Sequence, residues 1–230
     1  MVKVLLLVTN HGKMGNLDKK TGWYLPEVAH PYKVFKEAGY EIIMTSPKGG
    51  DAPMDPSSYE QYRNDEDCQM FLADYKIQDN FLKDTVPLDK VDLKSCDVFF
   101  CAGGHGPMFD LPDNDLVNNS VTAVYEKGGV AAAVCHGPAG IVNTKLSNGE
   151  YLVKGKKVTC FTNSEEDEMN LSQAMPFMLE TRLKEHGAVF NAAPNWQANV
   201  EVCDRVITGQ NPNSATPIAQ AIVKELQKSK

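Results

Sequence analysis

This sequence carries no CxxC pair, no HExxH helix signature and no glycine-rich phosphate loop of the GxGxxG or GxxxxGKS/T kind. The first two absences argue against a zinc knuckle or a zinc-peptidase centre, so no metal is expected, and the third removes the usual nucleotide cradles. Positive charge is not in excess either: 23 Lys and Arg against 30 Asp and Glu leave a net charge of −7 and a pI of about 5.3. A nucleic-acid or anionic-lipid partner is therefore not expected. Long apolar runs are missing as well. The first run, Val4 to Val8, stops at Thr9-Asn10-His11, too soon for a secretory signal core or a membrane span, which leads us to expect a soluble, cytoplasmic protein. Six scattered cysteines (Cys68, Cys96, Cys101, Cys135, Cys160 and Cys203) then read as reduced thiols, most of them small buried hydrophobes.

What is present is the composition of a folded globular protein, 42% apolar and 23% charged, which excludes disordered and fibrous classes. A chain of 230 residues suits one α/β domain, 1–230. Val2 to Val8 reads as a buried parallel strand. A helix follows over Pro26 to Ala38, stopped by Gly39, with Pro31 expected to kink it or reset its start, and Glu41 to Ser46 is the next strand. Between Pro47 and Leu88 the composition shifts to Asp, Pro, Ser and Asn, and we read an irregular insertion with short helices, at about 47–88. Strands are then expected at Asp97 to Ala102, Val130 to Val134, Lys157 to Phe161 and Ala188 to Asn191. Helices are expected over Asn114 to Lys127, before Gly187 and from about Pro217 to Leu226. A hairpin-like pair, Val200 to Cys203 and Arg205 to Thr208, precedes the last of these. The alternation implies an α/β fold with a mostly parallel sheet covered by helices on both faces.

The most informative stretch is Ala131-Ala132-Ala133-Val134-Cys135-His136-Gly137-Pro138. A strand ends, one side chain sits at a sharp turn between small residues, and Pro138 can begin a helix, which is the nucleophile-elbow pattern with Cys in place of Ser. A thiol above the carboxyl ends of the strands, at a helix N-terminus, is expected to have a depressed pKa. Gly103-Gly104-His105-Gly106 ends a neighbouring strand, where its N–H groups suit an oxyanion hole; alone the string also reads as a tight turn, and His105 reads equally as a ligand or a turn residue. Glu27 opens the first helix at the same edge of the sheet. It is a candidate acid/base, although an acid in a first helical turn is more often a dipole partner. In Asn163-Ser164-Glu165-Glu166-Asp167-Glu168, capping and solvation account for most of the charge, and one carboxylate is left to orient His136.

Cys135-His136-Gly137-Pro138 with the preceding Ala131 to Val134, together with Ala102 to Gly106 and Ile207 to Ala215, resembles the ThiJ/PfpI superfamily. More narrowly it is similar to the class I glutamine amidotransferase-like branch of heat-shock chaperones and glutathione-independent glyoxalase III enzymes, over nearly the whole chain. The resemblance implies a flavodoxin-like α/β fold with the elbow at Cys135. It implies Cys135 as nucleophile, His136 as triad histidine, Glu27 as the acid beside the thiol and Glu166, with Glu165 as its rival, as triad acid. Gly103 and Gly104 would line the oxyanion hole, with His105 beside them. The chain is expected to lack the long extra N-terminal segment of the larger bacterial chaperones of this group, so the resemblance does not by itself imply their zinc site or chaperone surface. Nor does glutamine amidotransfer, which needs a late H-x-E where this chain has His186-Gly187-Ala188.

The function so implied is cofactor-free conversion of methylglyoxal and related 2-oxoaldehydes to 2-hydroxy acids through a Cys135 hemithioacetal. Protein deglycation would share its first step. The competing reading is a stress-response holdase chaperone or redox sensor with an oxidisable Cys135, and an intracellular peptidase ranks below both. The resemblance also implies a homodimer.

Overall fold

A computed structural model describes residues 1–228. Strand β1 (Lys3–Leu7) lies at the centre of the main sheet. It pairs in parallel with β2 (Glu41–Ser46) on one side and with β6 (Val98–Cys101) on the other. Beyond β6 come β7 (Val130–Val134) and β11 (Val206–Gly209), both parallel, and then β10 (Val200–Cys203), antiparallel to β11. On the far side of β2, β5 (Phe81–Pro87) pairs in parallel and carries β3 (Gly50–Pro53) and β4 (Ile77–Gln78) antiparallel to it. A separate two-stranded ladder joins β8 (Lys157–Val158) to β9 (Val189–Phe190).

Alternation along the central strands explains the two cores. Val4, Leu6, Val98, Phe100, Val130 and Ala132 face one side; Leu5, Leu7, Phe99, Cys101, Ala131 and Ala133 face the other. The first side is covered by α1 (Leu25–Glu37), α3 (Glu66–Asp74) and α8 (Ala215–Lys228). The second is covered by α4 (Pro107–Asp110), α5 (Asp115–Glu126) and α7 (Leu179–Glu185). Strands buried on both faces read as continuous apolar runs, which is why they were legible in the sequence. No helix among the described residues is long and apolar enough to cross a membrane.

Three local expectations are corrected. Helix α1 runs unbroken from Leu25 through Pro31, so that residue does not reset its start, although it has no N–H to return to the carbonyl one turn back; at the helix start the Leu25 N–H donates to the Ser58 hydroxyl. The 47–88 segment holds α2 (Pro56–Tyr62) and α3, but also the strands β3, β4 and β5, which extend the main sheet. These strands are short or half-exposed, so they lack the apolar runs that marked the central ones. Directly after Cys135 the chain forms not an α-helix but a single 3-10 turn over Gly137–Gly140.

Candidate active site

Cys135 follows β7 directly and holds φ at 61°, a left-handed conformation that costs a non-glycine residue about 1–3 kcal/mol. Hydrogen bonds fix it from both sides: its N–H donates to the Gly209 carbonyl, and its own carbonyl accepts from the Phe161 N–H, at 2.9 and 2.8 Å. Gly137 is required just beyond, because a Cβ there would lie 2.2 Å from the Cys101 carbonyl oxygen. Sequence and packing together build a strained elbow.

The Cys135 sulfur sits 3.5 Å from His136 Nδ1. On the far edge of that ring, His136 Nε2 meets Glu166 Oε2 at 2.5 Å, and the other carboxylate oxygen, Oε1, meets His105 Nε2 at 2.8 Å. Glu166 belongs to α6 (Asn163–Glu168), whose first turn is closed by a capping box between Thr162 and Glu165. Glu165 is thereby turned away from the histidines. Its Oε2 accepts from the Thr162 N–H, and its Oε1 accepts from Trp196, Gln210 and Asn211. Of the two rival carboxylates, Glu166 is the one the fold brings to His136.

Beside the sulfur stands Glu27, fully buried. Its Oε2 accepts from the Gly103 N–H at 2.8 Å, while Oε1 has no hydrogen-bond partner among the described residues. The Gly103 N–H is therefore spent on Glu27 and is not free for an oxyanion, contrary to its expected role. The N–H groups of Gly104 and His136 donate to no protein oxygen among the described residues, and the Gly104 N–H acts to lower the thiol pKa. Gly104 needs its φ of +86° and its missing side chain, because a Cβ would fall 2.2 Å from the Gly22 carbonyl oxygen.

Burial governs the electrostatics. It pushes the Glu27 carboxyl up to about 8, against the opposing effect of its contacts with the Cys135 thiol and the Gly103 N–H. Burial, and then the adjacent Glu27, also drive the Cys135 thiol well above its ordinary value, with the Gly104 N–H acting in the opposite sense. The expected depressed thiol pKa is not found in the resting site. The helix N-terminus that would have lowered it is only one 3-10 turn, and Cys135 is 4% exposed, so little water is there to solvate a thiolate. Glu166 behaves oppositely: burial would raise it, but His136 and the histidine hydrogen bonds hold it well below the usual carboxylate range. His105 is lowered by burial and by His136, which outweigh its bond to Glu166.

Because Glu166 is ionised, both histidine Nε2 atoms must carry the hydrogens it accepts. With the Nε2 hydrogen given to Glu166, Nδ1 is the ring nitrogen that faces the thiol, the position a general base requires. His105, His136 and Glu166 also have the donor types of a metal site within 4.8 Å of one another.

These groups open into a cavity of about 200 Å³. Its walls include Tyr24, Phe161, Met169 and Trp196, with Lys19 and Asp55 near them, none of which was singled out from the sequence. No local pattern marks them, since they come from loops and helix ends far apart in the chain. Pro212, in the Ile207 to Ala215 stretch, also lines it.

The DJ-1/PfpI family profile matches residues 22–225. The chain is 36% identical to "Glyoxalase 3" of Candida albicans over 97% of its own length and 98% of that protein. It is also 36% identical to a glutathione-independent glyoxalase of Schizosaccharomyces pombe, over 98% and 96% of the two chains. The crystal structure of glyoxalase III from Candida albicans superposes with a TM-score of 0.89 at 34% identity, covering 97% of each chain. With its flavodoxin-like α/β fold and this similarity along almost its entire length, the chain belongs to the DJ-1/PfpI family.

Proposed function

We propose that the protein is a glutathione-independent glyoxalase that converts methylglyoxal and related 2-oxoaldehydes, with water, to 2-hydroxy acids. The observation that carries this reading is that one sulfur has two proton carriers beside it, His136 Nδ1 at 3.5 Å and the buried Glu27 carboxyl in contact with the thiol. The net reaction only relocates protons and adds water, so it needs no redox partner. The protein relatives named glyoxalases support the same substrate class.

The chemistry follows from the positions. The Cys135 sulfur bonds to the aldehyde carbon as its proton passes to His136, and the new alkoxide is held by the Gly104 and His136 N–H groups. Glu27 gives that oxygen its proton. Now ionised, it removes the hydrogen on the same carbon as a proton while His136 returns its own to the neighbouring carbonyl oxygen, giving an enediol. Glu27 then delivers its proton to the second carbon and His136 collects the one on the first oxygen, leaving a thioester. Water cleaves the carbon–sulfur bond, releasing the 2-hydroxy acid and the thiol, and the proton left on His136 returns through water to the ionised Glu27, restoring both groups. Glu166 fixes the tautomer of His136 throughout.

The test is formation of lactate from methylglyoxal without glutathione, measured side by side for the native protein and Cys135→Ala. Lactate from the native protein alone supports the reading, and lactate from neither, or from both, overturns it. The same reading takes 1–230 as one domain and the working form as a cytoplasmic homodimer, which light scattering on the purified protein tests.

A further inference from the structure

Away from the pocket, three side chains of different chemistry converge between α1 and α3. His30 lies on α1, one turn beyond Glu27; Asp65 caps the N-terminus of α3; Cys68 sits one turn into that helix. His30 Nε2 is 3.0 Å from Asp65 Oδ1 and 4.0 Å from Cys68 Sγ, and the three donor atoms all lie within 4.8 Å of one another. Asp65 is held in place by the Cys68 N–H, which donates to its Oδ1 at 2.9 Å.

We propose that His30, Asp65 and Cys68 form a binding site for a borderline divalent cation of the Zn²⁺ type, tying α3 to α1. A nitrogen, an oxygen and a sulfur donor are the set such an ion takes. A tetrahedral Zn²⁺ with its ordinary bond lengths spaces such donors roughly 3.3–3.6 Å apart. The observed 3.0 and 4.0 Å separations bracket that range, so small side-chain movements suffice. Burial is graded in a useful way. The thiol is fully enclosed, whereas the His30 and Asp65 side chains are 18% and 36% exposed, leaving a solvent side for entry and for a water as fourth ligand. On binding, Cys68 exchanges its thiol proton, which leaves to solvent, for a sulfur–metal bond.

The site's position gives it a consequence. Helix α1 carries Glu27, and the segment that holds α3 also holds α2, whose Ser57 and Gln61 line the cavity. An ion at this junction pins the outer wall of the pocket to the helix that bears its buried acid. Spacing rules for sequence motifs do not find this site, because its ligands come from two helices more than thirty residues apart.

Co²⁺ is the probe, titrated into the full-length Cys135→Ser protein so that the pocket thiol is silent. The expected result is one equivalent bound with a thiolate-to-cobalt charge-transfer band and the intense visible bands of four-coordination. Cys68→Ala should abolish the charge-transfer band, and His30→Gln should weaken binding by about tenfold or more. Zn²⁺ should raise the thermal midpoint of the Cys135→Ser protein and leave that of His30→Gln unmoved. Absence of the charge-transfer band, or a band that persists undiminished in folded Cys68→Ala, overturns the proposal. Should Cys68→Ala not fold, unchanged affinity in His30→Gln overturns it by itself. None of these readouts depends on catalytic turnover.

Discussion

The Gly103 N–H donates to Glu27 Oε2 at 2.8 Å across 76 positions of sequence, and this bond decides which oxygen of the buried carboxyl stays available. Oε2 is an acceptor already in use, so the proton that Glu27 retains belongs on Oε1, the oxygen left without a partner. A carboxyl held at about 8 can both give and take a proton near neutral pH.

Glu27→Gln keeps the acceptor for Gly103 and removes the exchangeable proton. We expect turnover of methylglyoxal to fall by about 10²–10⁴-fold with the fold intact. Stability should respond in the opposite direction. Because the folded value is raised above the unfolded one, the contribution of Glu27 is complete below the unfolded value and is lost as pH rises through the folded value. Between about pH 4.3 and about pH 8 the native protein should therefore lose stability relative to Glu27→Gln, by about 5 kcal/mol in all. Urea melts of the two proteins across that range measure it, and parallel pH profiles would falsify the assignment.

Glu166→Gln places an amide where two histidine N–H groups converge. The amide oxygen can satisfy one imidazole, and its NH₂ forces the other into the opposite tautomer. When His136 is the one displaced, the lone pair at Nδ1 is lost and turnover should fall by about 10²–10⁴-fold. Imidazole nitrogen shifts in NMR spectra report the tautomers directly. Unchanged shifts with unchanged rates would remove Glu166 from the mechanism.

Strain at the elbow gives a stability comparison that needs no substrate. Cys135→Gly and Cys135→Ala both remove the sulfur, but only glycine is at ease at a φ of 61°. The glycine variant should be the more stable of the two by about 1 kcal/mol. Equal midpoints in denaturant would mean the elbow is not strained.

Trp196 stands over Phe161 with ring centroids 5.6 Å apart, and its indole N–H donates to Glu168. Both rings line the cavity. Trp196→Ala should raise KM for an aryl 2-oxoaldehyde such as phenylglyoxal several-fold more than for methylglyoxal, because a three-carbon substrate leaves that wall uncovered. Steady-state kinetics on the two substrates decide it, and equal changes would place Trp196 outside the specificity pocket.

The sequence by itself determined the layered architecture and the identity of the elbow. Val4 to Val8 and Val130 to Val134 are buried on both faces, so their apolar runs declare central parallel strands without reference to the rest of the chain. A turn bounded by Ala133 and Gly137 is likewise a local property, and it singled out Cys135. Strands such as β3 and β4, paired at an edge and short, carry no such signature and were not legible. Only the tertiary structure decided between Glu165 and Glu166, joined His105 to the same carboxylate and spent the Gly103 N–H on Glu27. It also kept the thiol proton in place and brought His30 to Cys68. Periodicity and turn chemistry are written in neighbouring residues. The direction of a hydrogen bond spanning 61 or 76 positions, and the loss of water around a carboxyl or a thiol, exist only once the whole chain has packed.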